Sequence, residues 1–342
     1  MAYTTINKSS SLMNTVLYSG NSSTQAITGV GFQPDWCWFK GRNFIDNHVS
    51  IDAVRGNDKA VYPDTDGAET TQSHYFSSFD SDGYTLGNSG IMNLTGRTYA
   101  SWNWKANGSG SANTDGSISS TVSANTTSGF SIVKFTGTGA NATVGHGLGV
   151  IPKMMFVRNL TSGSQAWRVH NSSLASANIL YLNQNSASSS DATSFNSTAP
   201  TSSLFSVGSN TATNGSTNDM IAYCFAEVAG YSKFGSYTGN GVVDGTFIYT
   251  GFKPSFIITK RVTGLENWMM FDNKRLGYNV DNNFLFPNLN NAEVDSDQID
   301  ILSNGFKMRT TNDAINNSGG ECIYMAFGQT LVGTNNIPAT AR

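Results

Sequence analysis

The chain has 342 residues and a formal net charge of −3, and its 13% share of charged residues is about half of what soluble domains usually carry. Ser, Thr, Asn and 35 Gly take the place of charged residues, and because they favour turns and strand edges, the composition argues against a helical protein. The 20 Phe, 13 Tyr and 6 Trp argue against disorder, and the small net charge gives no attraction to nucleic acid or anionic membrane.

The first segment, residues 1–15, precedes the repeated part of the chain and is predicted to be an attachment segment. It has no charged head followed by an apolar core, so we expect no secretory signal. Nowhere do 18 apolar residues run together, so we expect no membrane insertion. The three cysteines stand far apart in apolar runs, which indicates buried free thiols and no disulfide framework.

A motif of Gly, two residues and Pro, followed by an apolar run that ends in a base, occurs three times. The base stands six residues after the proline in every copy, and this identical spacing indicates an internal repeat. We call it the anchor motif and expect a structural role, because Pro cannot donate to a ladder and suits the first residue of a strand. The anchor residues are Gly31, Pro34 and Lys40, then Gly149, Pro152 and Arg158, and finally Gly251, Pro254 and Lys260.

Other signals recur at similar distances from the anchors. Trp167 and Trp268 follow the second and third base by nine and eight residues, and His48 takes that place in the first copy. Copies one and three also share an Asp before a basic turn, Asp52-AVRG and Asp272-NKRLG, which the middle copy has lost. The middle copy has therefore diverged most, and we expect it to act as a spacer.

The local pattern predicts strands, because short apolar or alternating runs are bounded by Gly, Asn or Pro and no long segment has a 3.6-residue period. We predict an all-β fold of three tandem β-sandwich or jelly-roll-like modules, each of about 100 residues. The predicted segments are 1–15 for attachment, 16–106 for module one, 107–128 for a polar linker or edge strand, 129–230 for the divergent module two, 235–329 for module three and 330–342 for a C-terminal tail.

The sequence offers little material for catalysis or metal binding. Asp80 and Asp82, and again Asp295 and Asp297 with Asp300, have an acidic spacing that Ca²⁺ can use, but neither group has the terminal Glu of a calcium loop. Asp before Gly is also a common turn residue, so we expect turns there. No Gly-x-Ser-x-Gly elbow or His-Glu-x-x-His pattern is present, and the scattered Glu residues single out no pair. We expect no enzyme, no cofactor, and no catalytic or metal-binding residue.

The tryptophans could stack on sugars if their rings were exposed. Four of them form two i, i+2 pairs, at 36/38 and 102/104, and each pair is expected to face a core. Trp167 and Trp268 precede turns, so we expect these two to be the exposed candidates for glycan stacking.

The stretches LYSGNSSTQAITGVGFQPDWCWFKGR, IDAVRG, FDSDGYTLG and YASWNWKA resemble a family of repeat-bearing proteins from tailed phages of marine bacteria, including cyanophages. Proteins of this family carry a repeated domain of unknown function and are labelled tail-fibre-like or virion structural. The resemblance covers essentially the whole chain and is strongest in the first copy. It implies a virion component that is made in the host cytoplasm, is released by lysis and has other virion proteins as partners.

Three functions stay open within that class. We expect first a tail-associated fibre or adhesin that contacts a host surface glycan and forms a homo-oligomer such as a trimer. The alternative is a capsid-exterior decoration or another tail structural protein without a receptor role. A glycan-degrading tailspike is the third.

Overall fold

The structure of the protein is a computed structural model, which describes residues 4–275, 279 and 283–330. Strands make up 43% of the structure and helix only 5%, which confirms the predicted all-β class. The strands fall into three sets, which we call unit 1 (13–104), unit 2 (111–226) and unit 3 (232–329). The predicted C-terminal tail lies outside the described residues except for Thr330. No helix among the described residues has the length and apolar character to cross a bilayer.

Every unit is built from short strands and one four-residue helix near its end. Unit 1 contains β1 (Met13–Ser19), β2 (Gln25–Thr28), β3 (Trp36–Gly41), β4 (Val49–Asp52), β5 (Lys59–Ala60), β6 (Thr70–Thr71), β7 (Phe76–Asp80), β8 (Gly83–Leu86), α1 (Gly90–Asn93) and β9 (Thr98–Trp104). Unit 2 contains β10 (Ser111–Asn113), β11 (Ser120–Asn125), β12 (Phe130–Thr136), β13 (Ala142–Gly145), β14 (Pro152–Asn159), β15 (Arg168–Asn171), β16 (Asn178–Tyr181), β17 (Ser189–Ser190), β18 (Leu204–Val207), α2 (Thr211–Asn214) and β19 (Asp219–Ala226). Unit 3 contains β20 (Ser232–Thr238), β21 (Phe247–Tyr249), β22 (Lys253–Arg261), β23 (Met269–Asp272), β24 (Ile299–Leu302), β25 (Gly305–Met308), α3 (Asp313–Asn316) and β26 (Glu321–Gln329).

Four strands of each unit form a large antiparallel sheet with the same order, β1-β9-β3-β4, β12-β19-β14-β15 and β20-β26-β22-β23. A small sheet accompanies each large one, namely β2-β8-β7, β13-β18 and β21-β25-β24. In unit 2, strands β10 and β11 extend the large sheet beyond β12. The segment 107–128, expected to be a linker or an edge strand, therefore supplies two strands at that edge.

Each large sheet is buried on both faces, and the alternation of side chains in β3 shows how. Cys37 and Phe39 point to the small sheet of unit 1, where they pack in one cluster with Ile27 and Tyr84. Trp36 and its i+2 neighbour point the other way, into a second cluster. Because both faces are covered, every residue of β3 is buried.

In all three units, the face of the large sheet that points away from the small sheet packs into one central cluster. At its middle, Trp104, Phe225 and Phe327 come from β9, β19 and β26, and their ring centroids lie 6.0–6.5 Å apart. These three residues have equivalent positions in the three units, so the units are arranged around a pseudo-threefold axis within one chain. Unit 2 thus contributes to the shared core in the same way as units 1 and 3. The expectation that the middle copy acts as a spacer is wrong.

Some predicted limits fall inside strands. Residue 16 lies within β1 and residue 235 within β20, since both strands begin three residues earlier. The predicted attachment segment also packs on the body of the protein: Ile6 is 4% exposed and belongs to the central cluster, and the backbone N–H of Ser9 donates to Oε1 of Gln329 over 2.6 Å.

The anchor motif has one backbone role in all three units. Gly31, Gly149 and Gly251 have φ values of +88°, +73° and +83°, in the left-handed region that favours glycine. The prolines of the motif are buried and stand at or within two residues of the first residue of β3, β14 and β22. The repeat in the sequence therefore marks the turn that leads into β3, β14 and β22.

Candidate functional site

Trp167 and Trp268, the predicted glycan-stacking residues, are 1% and 0% exposed. The indole N–H of Trp167 donates to the carbonyl of Tyr62 in unit 1 over 3.1 Å. That of Trp268 donates to the carbonyl of Tyr181 in unit 2 over 2.8 Å. The expectation that they are exposed is wrong, because each ring is inserted between two units and bonded to the neighbouring one.

His48 makes the third contact of this kind. Its Nδ1 accepts from the indole of Trp38 at 2.8 Å, which leaves Nε2 to donate to the carbonyl of Phe286 in unit 3 at 3.1 Å. Burial lowers the pKa of His48 well below its ordinary value, so the ring stays neutral. The equivalence of His48 with the two tryptophans, expected from spacing alone, thus corresponds to one contact repeated around the pseudo-threefold axis.

The three anchor bases lie beside these contacts. Arg158 donates to the carbonyl of Gly67 in unit 1, and Lys260 donates to the carbonyl of Asn185 in unit 2 over 3.3 Å. Lys40 donates to the neighbouring carbonyl of Gly41 over 3.0 Å. Burial lowers the pKa of both Lys40 and Lys260 to about 8. Two of the three bases therefore tie their unit to the preceding one.

The Asp-and-basic-turn signal forms a buried ion pair in unit 1. Arg55 Nε donates to Asp52 Oδ2 over 2.5 Å, and its Nη1 donates to Glu69 over 3.0 Å. The hydroxyl of Tyr223, in unit 2, donates to the same Asp52 oxygen over 2.7 Å. Since the side chains of Asp52 and Arg55 are at most 1% exposed, this network fixes the interface of units 1 and 2.

The same network joins units 3 and 1. Arg275 donates to Asp272 over 2.6 Å and to Glu293 over 3.0 Å, and the indole of Trp102 donates to Asp272 over 3.0 Å. Arg42 of unit 1 makes a further pair with Glu293 at 2.9 Å.

The third interface lacks this network. Asn171 and Leu174 of unit 2 stand where unit 1 has Asp52 and Arg55, and Met325 of unit 3 stands where Tyr223 and Trp102 stand elsewhere. Met325 has no proton to donate to a carboxylate. The loss of the Asp in the middle copy therefore accompanies the loss of its donor on the next unit.

The sequence analysis missed a buried asparagine at the end of each short helix, at Asn93, Asn214 and Asn316, all 0% exposed. In each unit its Nδ2 donates to a carbonyl just after β8, β18 or β25 and to another in the loop after β1, β12 or β20. Asn316, for example, donates to the carbonyls of Thr310 and Val242. The recurring strings SGIMN, NTATN and NDAIN could have revealed it.

Of the acidic groups, Asp82 lies in a turn between β7 and β8, whereas Asp300 lies in β24. The carboxylate of Asp82 accepts the backbone N–H groups of Gly29 and Gly31 at 3.1 and 2.7 Å. Asp300 pairs with Arg309 at 3.3 Å. Within residues 4–275, 279 and 283–330 there is no group of three or more His, Cys, Asp or Glu side chains that could hold a metal ion.

An open pocket of about 340 Å³ lies between units 2 and 3, within the range of small-molecule sites. Its lining carries no charged side chain and is rich in amides: Asn183, Gln184, Asn185, Ser186, Asn267, Asn288 and Leu289. We call it the amide pocket.

The amides of the pocket are held by hydrogen bonds within their own units, and two of them bond the backbone of the inserted tryptophans. Asn288 Oδ1 accepts the backbone N–H of Trp268 at 3.0 Å, and its Nδ2 donates to Asn267 at 2.8 Å. Asn183 likewise accepts the backbone N–H of Trp167 at 3.0 Å. In unit 1 the residue in this position is Asp64, which accepts the backbone N–H of His48, so the neutral lining is particular to the pocket between units 2 and 3.

The comparisons with known proteins agree with one continuous domain. The family model for the domain of unknown function DUF7483 matches residues 8–330, and the chain belongs to this family. The match runs through all three units, as the central cluster does. The search of curated proteins gives no match.

Proposed function

We propose that this member of the DUF7483 family is a structural protein of a bacteriophage particle and acts as a tail-associated fibre or adhesin that contacts a glycan on the host surface. The phage assignment rests on the resemblance of the sequence motifs to repeat-bearing virion proteins. The adhesin role is carried by one observation, the amide pocket between units 2 and 3.

The chemistry of the amide pocket suits a neutral saccharide. Asn and Gln side chains offer both hydrogen-bond donors and acceptors, as sugar hydroxyl groups do. Because neither the amides nor a neutral sugar is charged, binding does not require the desolvation of a charged group. Asn185 and Gln184 are exposed, so they can reach a ligand, whereas Asn288 is buried and fixes the wall. The apolar side chain of Leu289 can cover a ring face.

Binding of the purified full chain to host envelope polysaccharide tests the adhesin role. The wild type is expected to bind, and Asn185→Asp is expected to weaken binding about tenfold or more, because the new charge must be desolvated. Asn107→Asp is the matched control, since Asn107 is an exposed amide outside the pocket. A wild type that retains neither host cells nor their glycans, or equal binding by Asn185→Asp, would contradict the adhesin role.

The second candidate is a decoration or tail protein without a receptor role. It is favoured by an apolar surface on unit 3, where Val242, Val243, Phe247 and Tyr249 are 44–56% exposed, since such patches mark protein contacts. The position of the chain in a particle reconstruction separates the two candidates. A distal tail tip supports adhesion, and a place on the capsid lattice supports decoration.

We propose no enzymatic role, in contrast to a tailspike. The buried carboxylates of Asp52 and Asp272 each form an ion pair with an arginine and lie in the interfaces between units. Incubation with host polysaccharide is expected to release no reducing sugar, and a release that follows protein concentration would contradict this.

A further inference from the structure

Unit 3 presents an apolar surface along the outer edge of its small sheet. Phe247 and Tyr249 in β21 are 44% and 55% exposed, and Val242 and Val243 in the preceding loop are 51% and 56% exposed. We call these four residues the β21 patch. Large apolar side chains gathered on one short segment indicate an interaction site.

The patch belongs to unit 3 alone. Register with β8 and β18 places Ala26 and Thr28 of unit 1, and Thr143 and Gly145 of unit 2, at the positions of Phe247 and Tyr249. The fold therefore does not require aromatic side chains here.

The outer edge of β21 also has backbone groups that are unpaired within the described part of the chain. Gly245, Thr246 and Thr250 bond backbone groups of the β25 region, so the alternation of an antiparallel strand points the N–H and C=O groups of Phe247 and Tyr249 away from β25. Among the described residues no strand pairs with this outer edge.

In unit 2 the corresponding edge is covered by the chain itself. Ile118 bridges to Val144 in β13, and its backbone N–H donates to the carbonyl of Thr143 over 3.0 Å. The side chain of Ile118 is buried in the core of unit 2. An edge of this type therefore accepts an added segment by backbone hydrogen bonds.

The loop that carries the two valines is held in one conformation. Asn316 Nδ2 donates to the carbonyl of Val242 at 2.8 Å and to Oδ1 of Asn240 at 3.1 Å. A pre-ordered apolar surface loses little conformational entropy when a partner binds.

We propose that the β21 patch is the contact to a second copy of this chain, formed by antiparallel pairing of β21 with β21 about a twofold axis. Pairing centred on Ile248 sets Phe247 of one copy opposite Tyr249 of the other, so the outward backbone groups of both strands are satisfied. A twofold interface uses the same surface on both copies, as this pairing does.

Charge plays no part in this arrangement. Asp244, at one end of the patch, is already paired with Lys307 at 2.5 Å and Arg309 at 3.6 Å in its own unit. The pairing is therefore carried by the backbone edge and the aromatic side chains of β21.

Sedimentation velocity of the purified full chain over a concentration series tests the proposal. The wild type is expected to form a dimer, and Phe247→Ala with Tyr249→Thr, which installs the residues of unit 1, is expected to raise the dimer dissociation constant at least about tenfold.

Val150→Ala with Ile151→Ala is the control, because both side chains are 48% exposed in unit 2, outside the patch, and this variant is expected to dimerise like the wild type. A monomeric wild type at every concentration, or a dimer that survives Phe247→Ala with Tyr249→Thr, would overturn the proposal. So would equal weakening by the control. The inference does not depend on glycan binding, and its readout requires none.

Discussion

The hydroxyl of Tyr223 donates to the carboxylate of Asp52 across the interface of units 1 and 2, over 2.7 Å in the buried interior. At the interface of units 3 and 1, Trp102 stands in the place of Tyr223 and donates to Asp272. Two of three interfaces are therefore joined by a carboxylate that is already bonded to an arginine of its own unit. Such bonds set how the units are oriented, while the apolar cluster supplies the driving force for their contact.

Removal of the Tyr223 hydroxyl should destabilise the whole protein. Tyr223→Phe leaves the ring in place and deprives Asp52 of one donor, so the free energy of unfolding should fall by about 1–3 kcal/mol. Tyr231→Phe is the control, since the equally buried hydroxyl of Tyr231 has no hydrogen-bond partner among the described residues. Chemical denaturation of both variants measures the difference, and equal effects would contradict the role of the bond.

The Asp52–Arg55 pair should behave as a unit. Arg55→Leu leaves the buried carboxylate of Asp52 without its cation and should cost about 3–5 kcal/mol. Adding Asp52→Asn reproduces the residues of unit 2, Asn171 and Leu174, and should recover part of that loss, because the uncompensated charge is gone. Equilibrium unfolding of the two single variants and the double variant gives the coupling energy. Additive effects would show that the pair is not coupled.

His170 should make stability depend on pH. Both ring nitrogens lack a partner among the described residues, and burial lowers the pKa of His170 to about 4. Because this folded-state value lies below the unfolded value of about 6.5, the unfolded chain binds the proton more readily, and the contribution of His170 is lost as pH falls below 6.5.

His170→Phe, which installs the residue found at this position in unit 3, removes that loss. Relative to wild type it should gain about 2 kcal/mol between pH 7 and pH 5. Urea denaturation at the two pH values measures the change, and a difference that is independent of pH would contradict it.

The anchor glycines should be sensitive for backbone reasons. A Cβ at Gly149 would meet no atom within 4 Å, but φ is +73°, so Gly149→Ala should cost about 1–2 kcal/mol. Gly90→Ala in α1 is the control: the space there is equally open, φ is not in the left-handed region, and alanine favours helix. Thermal unfolding should show a lower midpoint for the first variant only.

The all-β class could be predicted from the sequence because side-chain alternation is a local rule, and the anchor motif could be found because each copy needs a glycine at the same turn. The division into three tandem sandwich modules stays a prediction. The spacing from the anchor bases also showed that His48 is equivalent to Trp167 and Trp268. It could not tell that these rings are inserted between units, since a turn-proximal aromatic is exposed only if no other part of the chain covers it. The shared core was missed for the same reason, since no local pattern shows that the rings of Trp104, Phe225 and Phe327, from three different units, meet.

The central claim is that three units fold as one body around these three rings. Peptide-resolved hydrogen exchange of wild type and Phe225→Ala tests it most directly, because this substitution should cost about 3–5 kcal/mol of global stability. The slowest amides of β9, β19 and β26 should all lose protection by the same amount, although the change lies in β19. Loss confined to unit 2, with β9 and β26 as protected as before, would contradict the claim.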